Sequence, residues 1–464
     1  MKTTSWAWSA LMSVVLAGLM LLVPGVQARS SPSSVCDEDS EAASVTRPTV
    51  LRDARAVLAA LADEAVRRSP EVAGQLAGSR AWRQDRLQVE AGGRPQLSLS
   101  GSGVWSGARG SGQTGSSLQH GLGLTLSAPL LDGGRRQAES AYYQGLSEAG
   151  ALGAEAAREQ VALEAVAAAL ERRRQRLQLQ VWDRQVARMA CLARQVGEIV
   201  ALDRGRGSEG IQAGKSLRQA ELSRTEVQTQ LRQAELRLRS LAGDAAAEAA
   251  AELPPGPLAG FETLPPLAGL IETLPEAAEL RQLQRQAEAL DRQVEAARAA
   301  NAPQLAWQIG SSASRREGSS VTGWNAGLTL GLVLADAGAA DAGVQAAIER
   351  VTAARMQREA RLEERSRQLR VLHDAAQAAL LRQQQIGQLL EQSDLLRRAT
   401  REQWARLGRR SLFDLISAEN DHAQLQIARA QAEHEHLMAL LQMQAAGAGL
   451  RAWLAPFRAE PASR

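Results

Sequence analysis

The histidines are the side chains best suited to metal binding or proton transfer. There are five of them: His120, His373, His422, His434 and His436. His434 and His436 are two positions apart, which places them on different faces of a helix and argues against a metal pair. His120 lies in a polar segment rich in glycine and serine. Their spacing therefore predicts no metal centre.

Motifs for phosphate binding and for nucleophilic catalysis are also missing from the sequence. Segment 101–115 is rich in glycine, but it lacks the Lys-Ser/Thr ending of a phosphate-binding loop. No Gly-x-Ser-x-Gly nucleophile elbow occurs. We therefore expect a protein without enzymatic activity and without a cofactor.

The charged residues are balanced and dispersed. The chain has 54 basic and 51 acidic residues, and the two signs alternate along long stretches. Such a pattern is typical of a solvated helix surface with local ion pairs. Because no basic stripe is combined with stacking aromatics, the composition argues against nucleic-acid binding. Only 3% of the residues are aromatic, which favours long helices over a compact core.

The N-terminus has the layout of a secretory signal peptide. The segment 10–26 is almost wholly apolar, and Val26 and Ala28 supply small residues for cleavage. The run is shorter than a membrane-spanning helix requires, and no later segment of that length is free of charge. Any membrane crossing must therefore use strands. A lipid-modified Cys36 is disfavoured, and a Cys36–Cys191 disulfide remains an open alternative.

The two halves of the chain share proline, glycine and aspartate positions in the same order, which indicates an internal duplication. The matched features are Pro95 with Pro303, segment 123–126 with 327–330, and segment 132–134 with 336–338. Segment 253–274 is rich in proline and glycine and is predicted to be a linker between the halves. The predicted order is a signal peptide (1–28), a linker (29–49), the first repeat (50–252), the linker (253–274), the second repeat (275–450) and a tail (451–464).

Each repeat contains two segments with period-two alternation. The predicted strands cover about 95–105, 122–131, 303–311 and 326–334, with apolar residues on one face and Gly, Ser, Thr or Gln on the other. This pattern is typical of transmembrane β-strands, and a soluble half-buried sheet is the alternative. Trp105 and Trp324 lie where interface aromatics are expected. Segments 106–121 and 312–323 are predicted to be polar loops.

A long proline-free tract follows each strand pair. The two tracts cover about 135–203 and 339–407 and predict helices of roughly 100 Å. Such helices require partners along their length, and further helices at 211–241 and 412–443 are natural antiparallel partners. Gly210 and Gly408 are predicted to mark the breaks between the helices.

Four strands leave two open edges, and open edges are not tolerated in hydrocarbon. Two copies of the chain would supply eight strands, and three would supply twelve. The pattern therefore predicts a shared barrel but leaves the number of copies open.

With these features together, the sequence resembles the TolC-type outer-membrane efflux proteins from about Val50 to Leu450. The most similar segment is 408–420, which resembles the family's turn between its last two helices. The resemblance implies a mainly α-helical homotrimer with a twelve-stranded barrel in the outer membrane and a helical tunnel in the periplasm. It also implies a periplasmic adaptor and an inner-membrane transporter, either proton-driven or ATP-driven, as partners.

The same match implies a pore gate. It makes Asp414 a candidate for a ring of carboxylates and Arg410 a candidate latch, and it places adaptor contacts near Gly210 and Gly408. The family often has a second aspartate at the position that Ser417 occupies in this chain, and Ser216 is the equivalent residue of the first repeat. A second ring of carboxylates is therefore in doubt. Independently, the segment 411–414 predicts a capping box, so Asp414 has a structural role as its alternative.

Two alternatives concern function. A periplasmic coiled-coil adaptor without a pore is the rival class, but an adaptor should have one helical hairpin, whereas this chain has two. For the cargo, segment 204–221 slightly favours type I protein secretion over drug efflux.

Overall fold

The computed structural model describes residues 54–110, 113–251, 253–254, 258, 260–316, 319–447 and 449–455. The predicted signal peptide, the linker at 29–49 and Cys36 lie outside the described residues, as does most of the tail.

The described elements repeat one order twice, which confirms the predicted mainly α-helical fold with a duplicated order of strands and long helices. In the first repeat they are α1 (Ala54–Arg68), α2 (Pro70–Ala91), β1 (Gln96–Gly110), β2 (Gln113–Leu131), α3 (Arg135–Leu202), α4 (Gly207–Ala242) and α5 (Asp244–Ala250). In the second they are α6 (Leu267–Thr273), α7 (Ala278–Ala299), β3 (Gln304–Arg316), β4 (Ser319–Gly331), α8 (Ala339–Ala405), α9 (Leu412–Ala446) and α10 (Leu450–Leu454).

The strands form one antiparallel sheet in the order β1-β2-β3-β4. They are longer than the alternation predicts. Most of the predicted loops at 106–121 and 312–323 belongs to the outer parts of the strands, as in the pairs Ser106↔Ser117 and Ser314↔Val321. The loop prediction was wrong because runs of Gly and Ser show no alternation of hydrophobicity, whereas main-chain pairing continues through them.

The register gives the sheet one apolar and one polar face, since directly opposed residues share a face. The apolar face carries Leu97, Leu99, Trp105, Leu122, Leu124, Leu126, Trp307, Ile309, Trp324, Leu328 and Leu330. The other face carries small or polar residues, among them Ser98, Ser100, Thr125, Gln308, Gly310, Asn325 and Thr329. The predicted separation of the two faces is confirmed.

Equivalent turns join each strand pair to its long helix. Gly134 and Gly338 have φ values of 85° and 87°, in the left-handed region where glycine is favoured. The carboxylate of Asp336 accepts hydrogen bonds from the backbone N–H groups of Gly338 at 3.0 Å and Ala340 at 2.7 Å. The bond from Ala340 leads in holding the pKa of Asp336 below its usual value. The matching segments 132–134 and 336–338 therefore form two copies of one capped turn.

Two helices dominate the rest of the fold. α3 has 68 residues and α8 has 67, so each extends for about 100 Å. α4 packs against α3, and α9 packs against α8 and also reaches α3. α2 packs against α3, and α7 lies between α3 and α8. The predicted struts and their antiparallel partners are confirmed.

The segment predicted as a linker between the repeats is part of the core. Leu253, Leu258, Phe261, Leu270 and Leu274 are buried in the main hydrophobic cluster. This cluster also contains apolar residues of α1, α3, α8 and α9. Proline and glycine set the path of this segment, but its apolar side chains anchor it between the helices. None of the described helices is long and apolar enough to cross a membrane.

Candidate functional site

Both helical hairpins turn at the end of the molecule far from the sheet. α3 leads into α4 through a single turn at Arg204–Arg206, and α8 leads into α9 through residues 406–411. Gly408 has a φ of 60°, which agrees with the predicted break at this residue. We call the two turns and the adjoining helix ends the tip.

Gly210 occupies a different place from the predicted one. α4 begins at Gly207, so Gly210 lies in the first helical turn and not in the break. A Cβ at Gly210 would lie 3.4 Å from Cγ2 of Val200. Asp203 accepts a bond from the N–H of Gly205 at 2.9 Å, so the turn itself forms at Asp203–Arg206. The sequence has glycines at 205, 207 and 210, and nothing in it indicates that the helix begins at Gly207.

An apolar cluster joins the two hairpins at the tip. Leu412, Leu415 and Ile416 of α9 are buried with residues of the first hairpin. The residues contributed by α3 and α4 are Met189, Leu192, Val196, Ala213 and Ala220. The first turns of α9, which carry Asp414, are therefore held against the first repeat.

Asp414 belongs to a capping box, as segment 411–414 predicts. Its backbone N–H donates to the hydroxyl of Ser411 at 3.1 Å, and its carboxylate accepts from the backbone N–H of Ser411 at 3.2 Å. This reciprocal arrangement satisfies two N–H groups at the start of α9. The side chain keeps 42% of its accessible surface. The carboxylate can therefore cap the helix and still face solvent.

Arg410 lies near Asp414 but is bound more closely elsewhere. Its Nη1 is 4.0 Å from the Oδ2 of Asp414, and its Nε donates to the Oε1 of Gln403 at 3.2 Å. Half of the Arg410 side chain is exposed. An ion pair this open contributes little to stability. Within one chain, Arg410 therefore has a donor free to rotate toward another acceptor.

A buried ion cluster lies a few turns from the tip, and its residues were not among the predicted site residues. Glu419 is 1% exposed, and its carboxylate lies 3.0 Å from Nε of Arg188 and 2.7 Å from Nη2 of Arg401. Arg397, which is 4% exposed, approaches the same carboxylate at 3.6 Å. These arginines come from α3 and α8, so one carboxylate of α9 ties three helices together. We call this group the Glu419 cluster.

Neighbouring polar residues extend the Glu419 cluster. Buried Gln185 donates to the side chain of Asn420 at 2.9 Å. Partial burial favours the protonated form of Asp394, but a hydrogen bond from Arg397 at 2.8 Å holds the pKa of Asp394 below its usual value. Burial, followed by the charge of Arg397, lowers the pKa of His422. A neutral His422 is therefore favoured beside the guanidinium groups.

A sequence signal for Glu419 does exist. Leu412, Leu415, Ile416 and Ala423 recur at helical spacing, and Glu419 falls on the same buried face. A carboxylate in a row of apolar residues predicts a buried ion pair, since burying an unpaired charge is very costly. The partners could not be predicted, because Arg188 lies 231 positions earlier in the chain.

The two tryptophans lie on the sheet, far from the tip. Trp105 is on β1 and Trp324 is on β4, the two outer strands, and both are on the apolar face. They are 74% and 83% exposed within one chain. Their interface role stays a prediction, but their face and exposure are those it requires.

Comparison with known proteins gives matches only among solved structures. No protein-family model matches the sequence, and no curated protein is significantly similar to it. A membrane protein from Pseudomonas aeruginosa matches with a TM-score of 0.73 and 19% identity, over 86% of this chain and 92% of that one. The outer membrane protein VceC of Vibrio cholerae matches with a TM-score of 0.69 and 19% identity, over 85% and 97%.

The CmeC outer membrane channel of Campylobacter jejuni has a TM-score of 0.71 and 15% identity, over 84% of this chain and 85% of that one. These matches extend over most of each chain. The chain therefore has the fold of the TolC-type outer-membrane channels, as its sequence resemblance implies.

Proposed function

We propose that this chain is the outer-membrane channel of an export system and conducts substrate from an inner-membrane transporter to the cell exterior. The observation that carries the proposal is a four-stranded sheet with an exposed apolar face, continued by two helical struts of about 100 Å. The solved structures of similar fold include two outer-membrane proteins, one of them a channel.

The apolar face has a height close to that of a membrane. From Leu97 to Trp105 the strand is about 27 Å long at 3.4 Å per residue, which is about 21 Å along the membrane normal at a strand tilt of about 40°. Outer-membrane barrels have an apolar band about 25 Å tall, bordered by aromatic residues. The leucines of this band are exposed within one chain; Leu97 and Leu99 are 67% and 75% exposed. Lipid would remove this surface from water.

The open edges of β1 and β4 support assembly. Within the described sheet these strands each pair on one side only, and unpaired backbone groups cost several kcal/mol each in hydrocarbon. Copies of the chain can satisfy them if β4 of one copy pairs with β1 of the next. Three copies give a twelve-stranded barrel with a wider lumen than two would give. A homotrimer is our proposal.

The helices support the same assembly through their internal repeat. α3 packs against α7, and a Cβ added at Gly145 would lie 2.8 Å from Cβ of Ala289. α2 begins 208 positions before α7, and α3 begins 204 before α8. The equivalents of Ala289 and Gly145 are therefore Ala81 and Glu349.

The equivalent contact is missing within the described chain. Ala289 is 2% exposed, whereas Ala81 and Glu349 are both exposed. A Cβ added at Gly74 or Gly78 on α2 would have no atom within 4 Å. Packing α8 of one copy on α2 of the next would cover this surface. Because Glu349 has a Cβ where Gly145 has none, these two helices must lie farther apart than α3 and α7 do. A head-to-tail contact generates a ring when its rotation closes, as a barrel shared by the copies requires.

The struts then form the wall of a periplasmic tunnel, and the tip faces the partners. We assign adaptor contacts to the turns near Gly210 and Gly408. Three copies of Asp414 around an axis would concentrate negative potential and favour cations, and Arg410 would supply a latch. Type I protein secretion is the favoured cargo pathway, on segment 204–221, with drug efflux as its alternative. A pore-free periplasmic adaptor is not favoured, because the chain has two helical hairpins and an exposed apolar sheet.

Reconstitution into planar bilayers tests this proposal. The purified oligomer should produce discrete conductance steps, and membrane fractionation should recover it as a heat-modifiable oligomer in the outer membrane. Release as a soluble protein by osmotic shock, together with silent bilayers, would refute the channel.

A further inference from the structure

Two basic side chains oppose each other on the apolar face of the sheet. His120 of β2 and Arg315 of β3 are direct cross-strand partners, and both are exposed. Leu122↔Ala313 and then Leu124↔Ser311 follow on the same face toward the helices. The basic pair therefore lies near the end of the apolar rows that is remote from the helices, with only the pair Trp105↔Leu118 farther out on β1 and β2.

The charged side chains of the four strands are all basic. The four strands contain no Asp or Glu, and their arginines, Arg109, Arg315 and Arg316, all lie near the ends remote from the helices. Glu317, which follows Arg316 in the sequence, is outside the described residues. Arg316 lies on the opposite, polar face, where its Nη2 is 3.4 Å from Oγ of Ser106.

The surface beside the pair leaves room for a ligand. Gly103 is the β1 partner of His120, and a Cβ added there would have no atom within 4 Å. Beyond it, Trp105 pairs with Leu118 on the same face. A basic pair next to a glycine gap, with an aromatic residue on one side and leucines on the other, suits a molecule with an anionic head and an apolar tail.

We propose that Arg315 and His120 bind the headgroup phosphate of an anionic lipid in the outer leaflet, with its acyl chains on the leucine rows. A guanidinium can donate two parallel hydrogen bonds to a phosphate, and the imidazole N–H adds a third donor. The arginine stem packs along apolar surface while its head stays at the interface. Clustered basic side chains beside a membrane attract anionic headgroups. The inference rests on the proposed outer-membrane location.

Native mass spectrometry of the detergent-solubilised oligomer, titrated with lipid A, tests the site. Arg315→Ala combined with His120→Ala should weaken lipid A binding at least about tenfold, which equals ~1.4 kcal/mol. Arg316→Ala is the matched control, since it removes the same charge one residue away on the other face. Its binding should equal that of the unchanged protein.

Two further arms identify the ligand. Dephosphorylated lipid A should bind as weakly to the unchanged protein as lipid A binds to the double variant. Inorganic phosphate alone should not compete, because the acyl chains supply part of the affinity. Equal losses in the Arg316 and Arg315/His120 variants would overturn the site, as would full competition by free phosphate.

Bilayer conductance of the same samples separates this inference from the channel proposal. If the unchanged protein conducts but the Arg315 and His120 substitutions do not weaken lipid A binding, the lipid site is refuted and the channel proposal is retained. A protein that neither conducts nor sediments with outer membranes would refute both.

Discussion

The carboxylate of Glu419 lies 2.7 Å from the guanidinium of Arg401, in a position where Glu419 is 1% exposed. Breaking a buried pair costs about 3–5 kcal/mol because it leaves a charge buried without its partner. Glu419→Gln should therefore lower the free energy of unfolding by an amount in this range, measured by chemical denaturation with helical circular dichroism.

Glu288→Gln provides the control for Glu419. Glu288 lies 2.8 Å from Arg285, but both side chains are about half exposed. Such a surface pair contributes about 0–1 kcal/mol. If both variants lose the same stability, the Glu419 cluster does not hold the three helices together.

Two substitutions separate the two roles of Asp414. Asp414→Asn keeps an oxygen that can accept from Ser411 but removes the charge, so stability should change little while cation selectivity falls in planar-bilayer recordings. Ser411→Ala removes the hydroxyl of the capping box and should cost about 0.5–2 kcal/mol with selectivity unchanged. Unchanged selectivity in Asp414→Asn would leave Asp414 as a helix cap alone.

The stability of the molecule should depend on pH through His422. Burial, with the charges of Arg397 and Arg188, lowers its pKa, and the charges of Asp394 and Glu419 act in the opposite direction. The unfolded chain therefore takes up a proton near pH 6.5, before the folded chain does, and stability is lost as the pH falls below that value.

His422→Gln tests this dependence. The substitution should reduce the loss of thermal stability between about pH 7.5 and 5.5, a range that brackets the ordinary histidine pKa. His373→Gln, at a partly exposed residue of α8, should leave the loss unchanged. An identical loss in all three proteins would contradict the role of His422.

The two turns that join each strand pair to its long helix differ at one position, so a substitution in one turn can be compared with its reverse in the other. Gly133 has a φ of 65°, and its equivalent Ala337 has a φ of 55°. A Cβ on Gly133 would collide with Cβ of Ala302. Gly133→Ala should therefore destabilise the protein by more than about 1 kcal/mol, whereas Ala337→Gly should be neutral or slightly stabilising because it removes left-handed strain. Thermal melts of both variants measure the difference, and equal effects would refute it.

The sequence patterns predicted those elements whose signal is local. Alternation at 97–105 and the tracts without proline predicted strands and struts, and Asp132 and Asp336 with their glycines marked both junctions. Segments 106–121 and 312–323 were mistaken for loops because strand pairing there rests on backbone groups alone. Phe261 was assigned to a linker because its surroundings are rich in proline. Partners distant in sequence, such as Arg188 and Glu419, required the folded chain.

The pore role of Asp414 depends on copies of the chain, so no property of a single chain determines it. The same holds for Ala81 and Glu349, which are exposed in one chain and have a buried counterpart in Ala289. The internal repeat supplies a residue-level prediction of how the copies meet.

Cross-linking of Ala81→Cys with Glu349→Cys, in a chain whose two native cysteines are replaced by serine, tests the shared channel most directly. Disulfide geometry requires Cβ atoms about 3.5–4.5 Å apart. A Cβ on Gly145 would lie 2.8 Å from Cβ of Ala289, so an α2–α8 contact slightly wider than the α3–α7 contact brings the Cβ atoms of residues 81 and 349 into this range. Ala81→Cys with Arg370→Cys, farther along α8, serves as the distance control. Oxidation in intact cells should convert the first pair into a covalent species of three chains and leave the control pair monomeric. A product that stays monomeric, stops at two chains or grows beyond three would contradict the proposed trimer.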